Sequence, residues 1–198
     1  MKNQKIVTAY LIITFIFLFG VVLSIFDYSF SGYYIDKIIN WLWLAMTVFI
    51  IIKFWKKKGI KIYFWLLISG TILSFLPMMI PFFSMILYFS TVGCNQQIML
   101  NDTYRIERGR PGVMSNPMIT IYKKEGIFEK KISRDPYLAT IEKIVPPSPE
   151  TYVDEKTLPI QGARLISANN DSIGIEYQIM NKKKLIYHQN RLNWFDDN

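Results

Sequence analysis

The sequence predicts an α-helical membrane region of three transmembrane helices, followed by a β-rich (α+β) domain built as an antiparallel sheet or small barrel with one short helix. Three observations carry this prediction. Apolar residues crowd into positions 1–93 of the 198. That part holds uncharged runs of about 20 residues or more, the length a helix needs to cross the roughly 30 Å hydrocarbon layer. After Gly93 the pattern changes to short stretches alternating with a period of two, the mark of half-buried strands. With 51% hydrophobic, 16% aromatic and 19% charged residues, the chain is too apolar to be disordered.

The expected membrane region is 1–93, with helices at about 6–26, 38–55 and 62–80, the third with a kinked extension to about 90. The first run, Ile6 to Phe26, carries no charge. Lys2 and Lys5 before it fit a signal peptide as well, but the apolar run exceeds a usual signal core, so an uncleaved anchor is expected. In the second, Trp41, Trp43 and Trp55 lie near the ends, where interfacial aromatics belong. The third run, Ile62 to Ser90, is longer than one crossing requires. Pro77 and Pro81 lie four residues apart within it, and each removes a backbone hydrogen bond and bends a helix. A re-entrant hairpin broken at these prolines is the competing arrangement.

Residues 1–93 carry eight Lys/Arg and two Asp, a net of +6 out of the chain's +8. Five of those lysines, Lys53, Lys56, Lys57, Lys58 and Lys61, fall in one loop. Basicity placed this way is a topology signal rather than a nucleic-acid footprint. It puts the N-terminus and the lysine loop in the cytoplasm and, after three crossings, residues 94–198 outside it. The expected location is a bacterial cytoplasmic (inner) membrane. No ionisable residue lies centrally in any run, which disfavours proton relays and ion pathways. Gly70 and Ser74 form a small-xxx-small pair through which helices, including those of a second copy, could approach.

In the expected domain, 94–198, Ile173, Ile175, Tyr177 and Ile179 alternate with polar or small residues. Flanked by strands at Arg164–Ala168 and Lys184–His188, they make a three-stranded meander. A hairpin is expected at Met118–Lys123 and Ile127–Ile132 around Glu125-Gly126, and another at Gln97–Leu100 and Tyr104–Glu107. Asp135-Pro136 reads as a helix start, an N-cap acceptor followed by proline, with Tyr137, Ile141 and Ile144 on one face and Pro146-Pro147 ending it. Ser148 to Leu158 reads as a loop.

Candidate chemistry is sparse. The single cysteine, Cys94, allows no intrachain disulfide and no cysteine-based zinc site. His188, the single histidine, suits a structural or surface role. No nucleophile triad, P-loop or metal-binding motif occurs, so no catalytic residue, cofactor or metal is expected. Arg105, Arg108 and Arg110 near Gly109 and Gly112 could clamp a phosphate, carboxylate or lipid headgroup. The sequence therefore points to a non-enzymatic integral membrane protein that presents a β-rich domain to an envelope protein or ligand, as envelope-complex subunits and toxin-immunity proteins do. Two alternatives stay open: a cytoplasmic sensor of a small anion whose domain alters the membrane helices, and a membrane enzyme acting on lipid or cell-wall material.

Overall fold

A computed structural model describes residues 2–75, 80–112, 115–145, 158–169 and 171–190. The chain divides into two compact units, Met1–Thr91 and Val92–Asn198. The first is helical and the second is an antiparallel β domain with one helix.

In the first unit, α1 spans Lys2–Ile25 and α2 spans Tyr33–Lys53. Between them lies a short extended segment, β1, Tyr28–Phe30, which the sequence pattern does not announce. Among the described residues, these are the two helices long and apolar enough to cross a membrane, and α1 buries almost none of its apolar surface within the protein. A helix apolar all round that buries so little is one suited to lipid.

The expected third spanning helix is corrected. The chain forms α3, Lys58–Phe75, and a separate ten-residue α4, Ile80–Phe89. Lys58 and Lys61 occupy the first turn of α3, so its uncharged part from Ile62 is only about 21 Å long. Pro77 lies outside the described residues. Pro81 is the second residue of α4, a position where proline's missing N–H costs nothing.

α2 turns an unusually polar face inward, with Asn40, Thr47 and Ile50 buried. Tyr10 of α1 joins this face through its hydroxyl, 3.1 Å from Thr47 Oγ1 and 2.7 Å from the Tyr63 hydroxyl of α3. Phe17 stacks flat on Trp43, with ring centroids 4.2 Å apart. At the start of α2, the Lys37 ammonium donates to the carbonyls of Leu87 and Tyr88, and Asn40 Nδ2 donates to Tyr88 O. The last carbonyls of a helix lack intrahelical partners and carry partial negative charge, so a lysine and an amide stabilise the end of α4 there. The rings of Tyr33 and Tyr88 flank the same ammonium at 5.9 and 5.6 Å.

In the second unit, β2 (Cys94–Met99), β3 (Tyr104–Gly109), β4 (Met118–Glu125) and β5 (Phe128–Pro136) form an antiparallel meander. The β4–β5 turn contains Gly126 at φ +68, as the glycine there predicts. A second, three-stranded sheet joins β6 (Gly162–Ala168), β7 (Ser172–Ile179) and β8 (Lys182–Gln189), all antiparallel. Two open sheets replace the small-barrel alternative. The β7–β8 turn falls on Met180 and Asn181, both at positive φ, so β8 begins at Lys182 rather than at the expected Lys184. That left-handed pair matches the twist of a tight hairpin.

α5, Tyr137–Ile144, lies against the sheets. Its buried face is Tyr137, Thr140, Ile141 and Ile144, the helical spacing of an amphipathic stripe. With Ile106, Ile119, Ile121 and Ile132 from one sheet and Ile173, Ile175, Tyr177, Ile179 and Ile186 from the other, it forms one apolar core. Asp135 is not the N-cap: the cap position is Pro136, without a side-chain cap bond. Pro146-Pro147 and most of the Ser148–Leu158 loop lie outside the described residues. Where the chain re-enters, Gln96 replaces a missing strand partner: its Nε2 donates to Ile160 O at 2.6 Å and its Oε1 accepts from Ile160 N–H at 3.0 Å.

Candidate functional site

Among the described residues of the domain, a connected polar group centres on His188. Strand alternation puts it in phase with Ile186, so its ring points inward and its side chain is only 2% exposed. A buried imidazole needs a partner on each nitrogen. Asp135 Oδ2 lies 2.6 Å from Nδ1, and the Tyr177 hydroxyl lies 2.9 Å from Nε2. A carboxylate only accepts, so in the neutral ring Nδ1 carries the proton and Tyr177 donates to Nε2. Ser133 Oγ donates to the same Asp135 oxygen at 2.9 Å. Asp135 is thus withdrawn from helix capping because two neighbours already orient it.

An aspartate–histidine–hydroxyl chain resembles the arrangement that activates a nucleophile. Here Tyr177 is fully buried, so no substrate reaches its oxygen. Burial, the Asp135 charge and Tyr137 push its hydroxyl far above the ordinary phenol range, opposite to what activation requires. The chain of bonds ties β5, β7 and β8 together instead.

Its Asp135 end opens onto a cavity of about 300 Å³. One wall is a face of α5 with Ala139, Thr140 and Lys143; the other is the end of β8 with His188 and Gln189. Thr140 is 3% exposed. The side chains of Thr140, Lys143 and Gln189 have no hydrogen-bond or ion-pair partner among the described residues. Lys184 Nζ donates to the Lys143 carbonyl at 2.6 Å and caps the end of α5.

The three arginines are distributed differently from what their spacing suggests. Arg105 and Arg108 are three positions apart on β3, so they leave opposite faces of the strand. Arg105 is buried, bonded to Glu107 and Glu129, and lies 4.3 Å over the Tyr122 ring. Burial opposes its charge, but the two glutamates outweigh this and raise its proton affinity. Arg108 donates to Leu158 O and covers the Tyr137 ring at 4.9 Å. Arg110 follows the strand, its N–H bonded to Gly93 O at 2.7 Å. Two of the three guanidinium groups therefore serve internal partners.

Lys53, Lys56, Lys57, Lys58 and Lys61 are all exposed, with Lys53 and Lys57 lying over Phe49 and Phe54. A Cβ added at Gly70 would meet nothing within 4 Å, and Ser74 Oγ bonds back to Thr71 O. No group of three or more metal-ligating side chains occurs among the described residues. The Asp135–His188–Tyr177 group is not visible in sequence because 53 residues separate Asp135 from His188. The one hint is the in-phase alternation of Ile186 and His188. No family model, curated protein or solved structure matches the chain.

Proposed function

We propose that the chain is a non-enzymatic integral membrane protein that displays residues 92–198 outside the cytoplasm as a binding domain for an envelope protein or ligand. The observation that carries this reading is the threading of the helical unit. α3 begins beside the end of α2, where Trp55 and Phe64 pack edge to face at 5.0 Å. α4 ends beside the start of α2, where Lys37 and Asn40 bind its last carbonyls. The chain thus enters α3 at the lysine-rich end of α2 and leaves α4 at the opposite end. With the lysines held inside by the positive-inside rule, the exit lies outside.

Impermeant maleimide labelling tests the orientation. In a Cys94→Ser background, a cysteine at exposed Lys182 reacts in intact cells, while one at Lys56 reacts only after lysis. The reverse pattern refutes the proposed display. Against the sensor alternative, Arg105 is already paired with Glu107 and Glu129, which favours the display reading.

A further inference from the structure

We propose that the lysine-rich end of the helical unit binds one anionic phospholipid, its headgroup against Lys5 and an acyl chain along the α1 face that carries Ala9 and Ile12. The helices gather the lysines at one end. The Tyr10 hydroxyl meets Thr47 Oγ1 at 3.1 Å and the Tyr63 hydroxyl at 2.7 Å, so α1, α2 and α3 come together at one level. α1 and α2 run antiparallel, because Tyr10 meets Thr47 while Phe17 stacks on Trp43. α3 starts beside the end of α2, with Trp55 against Phe64. Along the helices from the hydroxyl level, Lys5 lies about 7.5 Å away, Lys53 about 9 Å and Lys61 about 3 Å, all toward the same end. Lys56, Lys57 and Lys58 fall in the chain between the last two. None of these lysines has an ion-pair partner among the described residues. The acidic residues of positions 1–100 are Asp27 and Asp36, which follow α1 and open α2 at the other end. Charge of one sign, concentrated where helices leave the hydrocarbon, attracts anionic headgroups.

Charge alone attracts any polyanion, and the groove beside it narrows the class. That groove, of about 390 Å³, is lined by Gln4, Lys5, Thr8, Ala9 and Ile12 of α1. Their spacing puts them on one helical face. The polar members come first, and Ile12 lies about 10 Å beyond Lys5 along the helix. The side chains of Gln4, Lys5 and Thr8 have no partner among the described residues, and each can donate to phosphate oxygens. Further along, Ile12 and Phe15 are exposed. A soluble anion or a nucleic acid leaves that apolar half uncovered, whereas a phospholipid covers both halves. Ala9, with its small side chain, leaves room for the acyl chain.

The inference rests on the reading of the helices as membrane-spanning, and not on which side residues 92–198 face. Labelling at Lys56 and Lys182 tests the first reading; lipid selectivity in micelles, which have no sides, tests only the second. The full chain in neutral detergent is titrated with phosphatidylglycerol and with phosphatidylcholine of the same acyl chains, and retained lipid is counted by native mass spectrometry. One phosphatidylglycerol is retained saturably, about tenfold more tightly than phosphatidylcholine. Lys5→Gln weakens this binding several-fold, and Lys5→Arg retains it. Ala9→Phe, which fills the groove without changing the charge, weakens it as well. Both positions are exposed, so these variants leave the helix packing intact. Equal retention of the two lipids, unchanged binding in Lys5→Gln or Ala9→Phe, or displacement of the lipid by equimolar inorganic phosphate overturns the proposal.

Discussion

Among the glycines described, Gly109 and Gly174 are the two where an added Cβ would come within 3.0 Å of another atom, but the obstacles differ. A Cβ on Gly109 would sit 2.5 Å from the Gly93 carbonyl oxygen and 3.2 Å from Cys94 Cα, which are backbone. On Gly174 it would meet Ser167 Oγ at 2.5 Å and the Tyr187 ring at 2.9 Å, which can turn away. Gly109→Ala should therefore cost about 2 kcal/mol, and Gly174→Ala less. Denaturant midpoints of the two variants in one detergent check the order; equal losses contradict the argument.

The buried tyrosines set a second residue-scale expectation. Burial raises the Tyr122, Tyr137 and Tyr177 hydroxyls above their ordinary value of 10.0. For Tyr122 the Glu107 charge adds to burial, and for Tyr137 the bond and charge of Arg108 oppose it. Below pH 10 both folded and unfolded chains keep these protons, so stability is unaffected. Above it the unfolded chain releases them first, and stability falls as pH rises, by about 1.4 kcal/mol per pH unit for each such tyrosine. Unfolding curves at stepped alkaline pH, followed by tyrosinate absorbance, measure this slope. A flat profile to pH 11 would remove burial as the cause.

At the scale of elements, side chains repair the places where ladders stop. Gln96 stands in for a strand opposite Ile160, so Gln96→Ala leaves a buried N–H and carbonyl without their partner and should cost about 1–3 kcal/mol. Hydrogen exchange at Ile160 reports it directly, and unchanged protection there refutes it. This is also where sequence legibility divides. β7 is readable because Ile173, Ile175, Tyr177 and Ile179 repeat the strand period, and α5 because Tyr137, Ile141 and Ile144 repeat the helical one. Both patterns are local. Asp135 marks the limit of such patterns: it has the chemistry of an N-cap, but a histidine 53 positions later claims it first. The arginines fail as a cluster for a similar reason, since spacing alone does not reveal Glu129 on the neighbouring strand pair. The cavity depends on α5 and β8 meeting, and no local pattern encodes that.

For the whole molecule, the proposed orientation rests on few charges. The lysine-rich end of α2 and the exit of α4 lie at opposite ends of the helical unit. Replacing Lys56, Lys57 and Lys58 with glutamine should weaken the orientation preference and yield a mixed population, with part of the domain protected from external protease. A population that stays uniformly oriented would assign control to Lys2 and Lys5 instead. The two units also differ in what holds them. The domain has an isoleucine-rich core, whereas the helices expose most of their apolar surface and meet through Tyr10, Thr47, Tyr63 and Lys37.

The shortness of α4 has a consequence for biogenesis. In the proposed membrane arrangement, a ten-residue helix offers the translocon too little length to partition into lipid alone, and its last carbonyls lack intrahelical partners. Lys37 and Asn40 remove that obstacle only if α2 is still within reach when α4 emerges. In that arrangement integration is a joint event: the earlier helix waits in the lateral gate as a chaperone for the later one.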